Sequence, residues 1–106
     1  MEKIDGIAQF EQLLEEKKGF FFFKHSMTCP VSAAAFDEYE AFLSAEETDQ
    51  IGYYLTVQDS RELSNHIAET ANIRHESPQV IYFKDGKPEW TESHWKITKN
   101  KLASIY

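Results

Sequence analysis

Phe20-Phe21-Phe22-Phe23-Lys24-His25-Ser26-Met27-Thr28-Cys29-Pro30-Val31-Ser32 is the stretch that decides the fold. Successive side chains of a strand point to opposite faces, so four consecutive phenylalanines predict a strand buried on both sides, at the centre of a sheet. The polar run from Lys24 to Thr28 ends that strand. Proline is favoured at the first position of a helix, where its missing N–H is not needed, so a helix is predicted to begin at Cys29-Pro30. Cys29 then sits at the N-cap, with its sulfur expected near the free N–H groups of Val31 and Ser32. Those donors and the positive end of the helix dipole favour thiolate over thiol, and thiolate is the attacking species in disulfide exchange. A loop that leaves a buried strand emerges at its carboxyl end, where open α/β sheets gather their sites.

Working outward from this stretch, Ile7, Phe10, Leu13 and Leu14 recur at helical spacing, with Asp5 as the expected N-cap and Gly19 as the expected stop. Val31, Ala35, Tyr39 and Phe42 form the inner stripe of the second helix. Its wet face carries Asp37, Glu38 and Glu40, with Glu46 and Glu47 near its end. Ile51 to Val57 reads as a strand. Asp59 followed by Glu62 resembles a capping box opening a third helix, with Leu63, Ile67 and Ala71 inward. Val80 to Phe83 and Glu89 to Glu92 read as strands joined through Asp85-Gly86, a pair that tolerates the positive φ of a tight turn. Thr98 to Tyr106 reads as a last short helix. The predicted order is αβαβαββα, an α/β fold with a central mixed four-stranded sheet flanked by helices. No repeat, linker or low-complexity tract interrupts the chain, so residues 1–106 are read as one domain.

Composition narrows the function classes. The 106 residues are 42% hydrophobic and 27% charged, a globular balance. Acids outnumber bases 18 to 11, for a net charge of −7, which argues against general attraction to nucleic acid or to an anionic membrane surface. The longest apolar runs are too short to span a bilayer, and the first residues lack the order of a secretory signal. A cytoplasmic protein is the expectation. The single cysteine excludes an internal disulfide, a Cys-rich zinc site and a dithiol motif within one chain.

Cys29 is read as reactive rather than as a small buried hydrophobe, because Ser26, Thr28 and Ser32 make its surroundings polar and Lys24 and His25 offer positive charge. Ser32 lies three residues after it, where a dithiol enzyme carries its second cysteine. Its hydroxyl is free either to hydrogen-bond the thiolate or to satisfy the helix end. His25, His66, His75 and His94 show no paired metal-ligand spacing, and no metal is expected. Core packing is the first reading for Trp90 and Trp95, with substrate contact the second.

With its Thr-Cys-Pro-x-Ser element, the segment Phe23 to Ser32 resembles the monothiol bacilliredoxins of the YtxJ type, within the thioredoxin-like fold. Ser77-Pro78-Gln79 and Ser93-His94-Trp95-Lys96-Ile97-Thr98 are similar to that family as well, so the likeness runs along essentially the whole chain. The resemblance implies a thiol–disulfide oxidoreductase that removes bacillithiol, a low-molecular-weight thiol, from mixed disulfides on client proteins under oxidative stress. Cys29 would be the nucleophile, and Thr28, Pro30 and Ser32 would shape and polarise the site. Pro78 would be the cis-proline facing it, and Ser77 would offer backbone to an extended substrate. Apart from the resemblance, the positions of Lys24 and His25 leave two readings open, electrostatic tuning of the thiol or an exposed place with little effect on it. No tightly bound cofactor is implied: bacillithiol is a co-substrate, and bacillithiol or a reductase regenerates the protein. Two other functions fit one reactive cysteine, a redox-sensing module modified at Cys29 and an iron–sulfur carrier.

Overall fold

The phenylalanine run divides the molecule. In the computed structural model, which describes residues 1–45 and 49–105, all four rings are at most 1% exposed. They alternate between two cores. Phe20 and Phe22 pack on one side of the sheet with Phe10, Leu63 and Ile67, while Phe21 and Phe23 pack on the other with Tyr39, Phe42 and Leu102. Helices therefore cover both faces, as a strand apolar on both sides requires.

The elements are β1 (Glu2–Lys3), α1 (Ile7–Glu16), β2 (Gly19–His25), α2 (Pro30–Ser44), β3 (Gly52–Thr56), α3 (Arg61–Ala71), β4 (Gln79–Lys84), β5 (Lys87–Ser93), a 3₁₀ turn (His94–Lys96) and α4 (Lys99–Ala103). The sheet runs in the order β1-β3-β2-β4-β5. β2 lies parallel to β3 and antiparallel to β4, so the sheet is mixed, as expected. It has five strands, however, rather than four. The added one, β1, is a charged dipeptide with no alternation to betray it. It is held by parallel pairing with β3 and by Lys3 Nζ donating to Asp59 Oδ2 at 3.2 Å.

Several boundaries fall one residue from their predicted places, each for a local reason. Gly6, not Asp5, is the N-cap of α1, because the Gln9 side chain turns back to accept the Gly6 N–H. Ser60, not Asp59, is the N-cap of α3; Asp59 is engaged by Thr56 Oγ1 and Lys3 Nζ. Gly19 opens β2 instead of stopping α1. A Cβ there would lie 2.4 Å from the Tyr82 hydroxyl, so close packing on β4 requires the glycine. Asp85 and Gly86 take φ of 52° and 78°, the left-handed pair the β4–β5 turn demands. On α2, Glu38 leaves the wet face to cap α4, accepting the Lys99 N–H at 2.9 Å. Glu46, Glu47 and Tyr106 lie outside the described residues.

Candidate active site

The strand register gathers the site at one end of the sheet. β2 ends at His25, the loop Ser26–Thr28 follows, and α2 starts at Pro30 with Cys29 as its N-cap. Antiparallel pairing of Lys24 with Gln79 brings Ser77-Pro78 to the same end, beside His25. The Ser77-Pro78 peptide is cis, and Pro78 is buried. Among the described residues, neither the N–H nor the C=O of Ser77 takes an intramolecular partner. An unpaired backbone edge of this kind suits an extended ligand.

Cys29 is half-buried and free, with φ −104° and ψ 118°, the extended geometry of an N-cap. Its backbone is fastened on both sides: its N–H donates to Ser26 O at 3.4 Å, and its carbonyl accepts the Ala33 N–H at 3.0 Å. The side chain makes no capping hydrogen bond, so the expected contact with the N–H groups of Val31 and Ser32 is not made. A thiol sulfur is a weak acceptor, and nothing draws it over the helix end.

Ser32 is fully buried and faces the loop. Its Oγ accepts the Ser26 N–H at 2.9 Å and lies 2.8 Å from His25 Nδ1. It is therefore a clip between the first turn of α2 and the preceding loop. The expectation that it polarises the thiol gives way to this use, because both of its neighbours lie upstream of Cys29. Burial pushes His25 below the ordinary histidine value, with Asp37 opposing weakly. A neutral ring is thus favoured at neutral pH, with Nδ1 paired to the Ser32 hydroxyl. His25 also stacks on Phe36 of α2, with centroids 4.4 Å apart. Its contribution to the site is position, not charge.

Lys24 departs further from its expected role. Alternation sends it to the opposite face of the sheet, where it is 1% exposed. Its ammonium donates to Ser64 O at 2.9 Å and lies 3.2 Å from His75 Nδ1. Burial lowers its pKa to about 8. Its contacts belong to α3 and the loop before β4, so it does not tune the thiol by contact.

Two further side chains complete the site, Gln58, which the sequence left unmarked, and Trp95, which it placed first in the core. Gln58, just after β3, clamps the cysteine loop: its Oε1 accepts the Met27 N–H at 3.1 Å, and its Nε2 donates to Ser26 Oγ at 3.0 Å and more distantly to Thr28 Oγ1 at 3.4 Å. Trp95, expected in the core, is 72% exposed, because the 3₁₀ turn lifts it away from the sheet. Trp90 packs against the α2-side core, as expected. The turn opens at His94 with φ 57°, and the His94 N–H donates to Pro78 O at 3.0 Å. Among the described residues no cluster of three or more His, Cys, Asp or Glu is arranged to hold a metal, and no helix is long and apolar enough to cross a membrane.

Comparison with known proteins matches this geometry. A family model described as monothiol bacilliredoxin BrxC matches residues 2–102. A solved structure of a candidate oxidoreductase with a thioredoxin fold is 48% identical, with a TM-score of 0.88 over 95% of this chain and 88% of that one. Oxidised thioredoxin from Plasmodium falciparum is 14% identical with a TM-score of 0.76, over 99% of this chain and 93% of its own. Fasciola hepatica thioredoxin is 20% identical, also at 0.76, over 97% and 93%. These two share the fold.

Proposed function

Because the chain belongs to the monothiol bacilliredoxin family, a family of thiol redox proteins, we propose that it removes bacillithiol from mixed disulfides on client proteins. The observation that carries this reading is one half-buried cysteine at the start of a fifteen-residue helix, at the same end of the sheet as the unpaired Ser77 backbone.

In the proposed step the Cys29 thiolate attacks the bacillithiol sulfur of a client–bacillithiol disulfide. One S–S bond forms as one breaks, the client leaves as thiolate, and no net oxidation occurs. Ser77 N–H and C=O hold the incoming chain in an extended form. Ser32, His25 and Gln58 keep the loop fixed, so that Cys29 meets the disulfide at a set angle. Thr28 and Pro30 flank the sulfur, Pro30 by fixing the first helical residue and Thr28 by tying the loop to Gln58.

A hydroxyl at position 32 cannot close a disulfide, so the loaded cysteine is released by a second molecule, bacillithiol or a reductase. Intact-mass spectrometry of the reduced protein mixed with a bacillithiolated client tests the reading. The expected result is the bacillithiol mass on Cys29 together with free client thiol. Client release without that adduct, or no release, overturns it.

A further inference from the structure

A cavity of about 540 Å³ opens between the loop before β4 and the 3₁₀ turn. Its floor is Gln79, Thr91 and Ser93 of the sheet, and its walls are Arg74 and Glu76 on one side and Trp95 and Lys96 on the other. The volume falls within the range of small-molecule sites. Three features point to an occupant with polar groups and an apolar face.

Gln79 is 1% exposed and lines the cavity. Its Nε2 is used by Arg74 O at 3.0 Å, while its Oε1 is a buried acceptor with no partner. Such an atom costs free energy until a donor meets it. The acids are already engaged: Glu76 bonds the Ser93 side chain and lies 3.7 Å from His94 Nε2, and Glu92 accepts the Ser93 N–H. Arg74 and Lys96, by contrast, are in salt-bridge contact with no acid among the described residues. Finally, the exposed Trp95 ring is a flat apolar wall with a polar edge.

The cavity also adjoins the site. Glu76 precedes Ser77, and the His94 N–H fastens the 3₁₀ turn to Pro78 O. Resting on the enzyme reading above, we propose that this cavity seats the non-sulfur body of the small-thiol co-substrate, a carboxylate-bearing, hydroxylated molecule. Its carboxylates face Arg74 and Lys96, a hydroxyl or N–H donates to Gln79 Oε1, and its bulk lies against Trp95. Its cysteinyl end points toward Cys29. The cleft is open to solvent on one side, and the Lys96 and Arg74 cations at its rim, the latter shared electrostatically with Glu76, favour such an anionic molecule over an apolar peptide.

The test is titration of the reduced wild-type chain with S-methylbacillithiol, a thioether that cannot exchange with Cys29, followed by amide and indole NMR shifts. Saturable shifts at residues 73–79 and 91–96 and at the Trp95 indole are expected, and S-methylcysteine, which lacks the body, should not produce them. Trp95→Ala, at an exposed position, should weaken binding about tenfold. Arg74→Ala with Lys96→Ala should weaken it by a similar factor and flatten its salt dependence. Absent shifts, shifts confined to other surfaces, or unchanged affinity in both variants would overturn the proposal. A mass adduct on Cys29 without cavity binding sinks this inference alone. Cavity binding without an adduct sinks the enzyme reading and leaves the site.

Discussion

Lys24 and His25 are consecutive in the sequence and lie on opposite faces of the sheet. His25 turns to α2, stacks on Phe36 and bonds Ser32, and so belongs to the element that carries the cysteine. Lys24 turns to α3, where Ser64 and His75 receive its ammonium. Both look like charge donors to the thiol when read along the chain. In space, one holds the loop as a neutral ring, and the other is a cation enclosed on the far side. Position relative to the pleat, not distance along the chain, decides which neighbour acts on Cys29.

The sharpest contrast between the faces comes from removing the thiol. Cys29→Ser should abolish client release and the bacillithiol adduct by mass spectrometry. Because its side chain makes no capping bond, stability in urea should change by no more than about 1 kcal/mol.

Next come two buried serines, one on each face. Ser32→Ala strands the Ser26 N–H and His25 Nδ1, and should cost about 1–3 kcal/mol while slowing thiol exchange. Ser64→Ala loses only a hydroxyl contact to His75, since Lys24 uses the Ser64 backbone carbonyl. It should cost about 1 kcal/mol and leave the exchange rate alone. Equal effects on rate would erase the distinction between the faces.

The faces also separate by pH. Lys24 titrates near 8 in the folded protein against an ordinary lysine value of 10.5, so the unfolded chain binds more protons between those values. Stability arising at Lys24 therefore increases as pH climbs from about 8 to 10.5, and its burial penalty is complete below that window. Lys24→Met should match or exceed wild-type stability at pH 7, and its advantage should shrink toward pH 10. His25 has the same sign on the acid side: its pKa is lowered by burial, so its contribution falls as pH drops below 6.5. Denaturant melts of both proteins across pH 5–10 read the two arms. An advantage for Lys24→Met that grows with pH would contradict the assignment.

The smallest effect is expected at Gln58. Gln58→Ala frees the Ser26–Thr28 loop and should slow exchange by a few fold, with a stability loss of about 0.5 kcal/mol because its bonds are exposed.

Much of the frame was legible in the sequence, because it rests on local rules. Four phenylalanines can only be buried from both sides, Pro30 marks a helix start, and Asp85-Gly86 supplies two positive φ angles. The site was legible down to Cys29, Ser32 and Ser77-Pro78 as places in the fold. What escaped depends on long-range contact. Gln58 is an ordinary polar residue until β3 sets it beside a loop thirty positions earlier. Trp95 has a core residue's composition but sits on a 3₁₀ turn that points it outward. β1 is too short to show a pattern, and the direction of Lys24 follows only once the strand register is known.

The sheet order has one more consequence, for what can be added to it. One side edge is a two-residue strand tied down through Lys3, and the other begins Lys87-Pro88-Glu89, where the proline offers no N–H and the charges resist pairing. Neither edge is a good template for a further strand, so sideways growth into ribbons or fibres is disfavoured. The unpaired backbone at Ser77 is instead a short step at the end of the strands, wide enough for a single peptide unit.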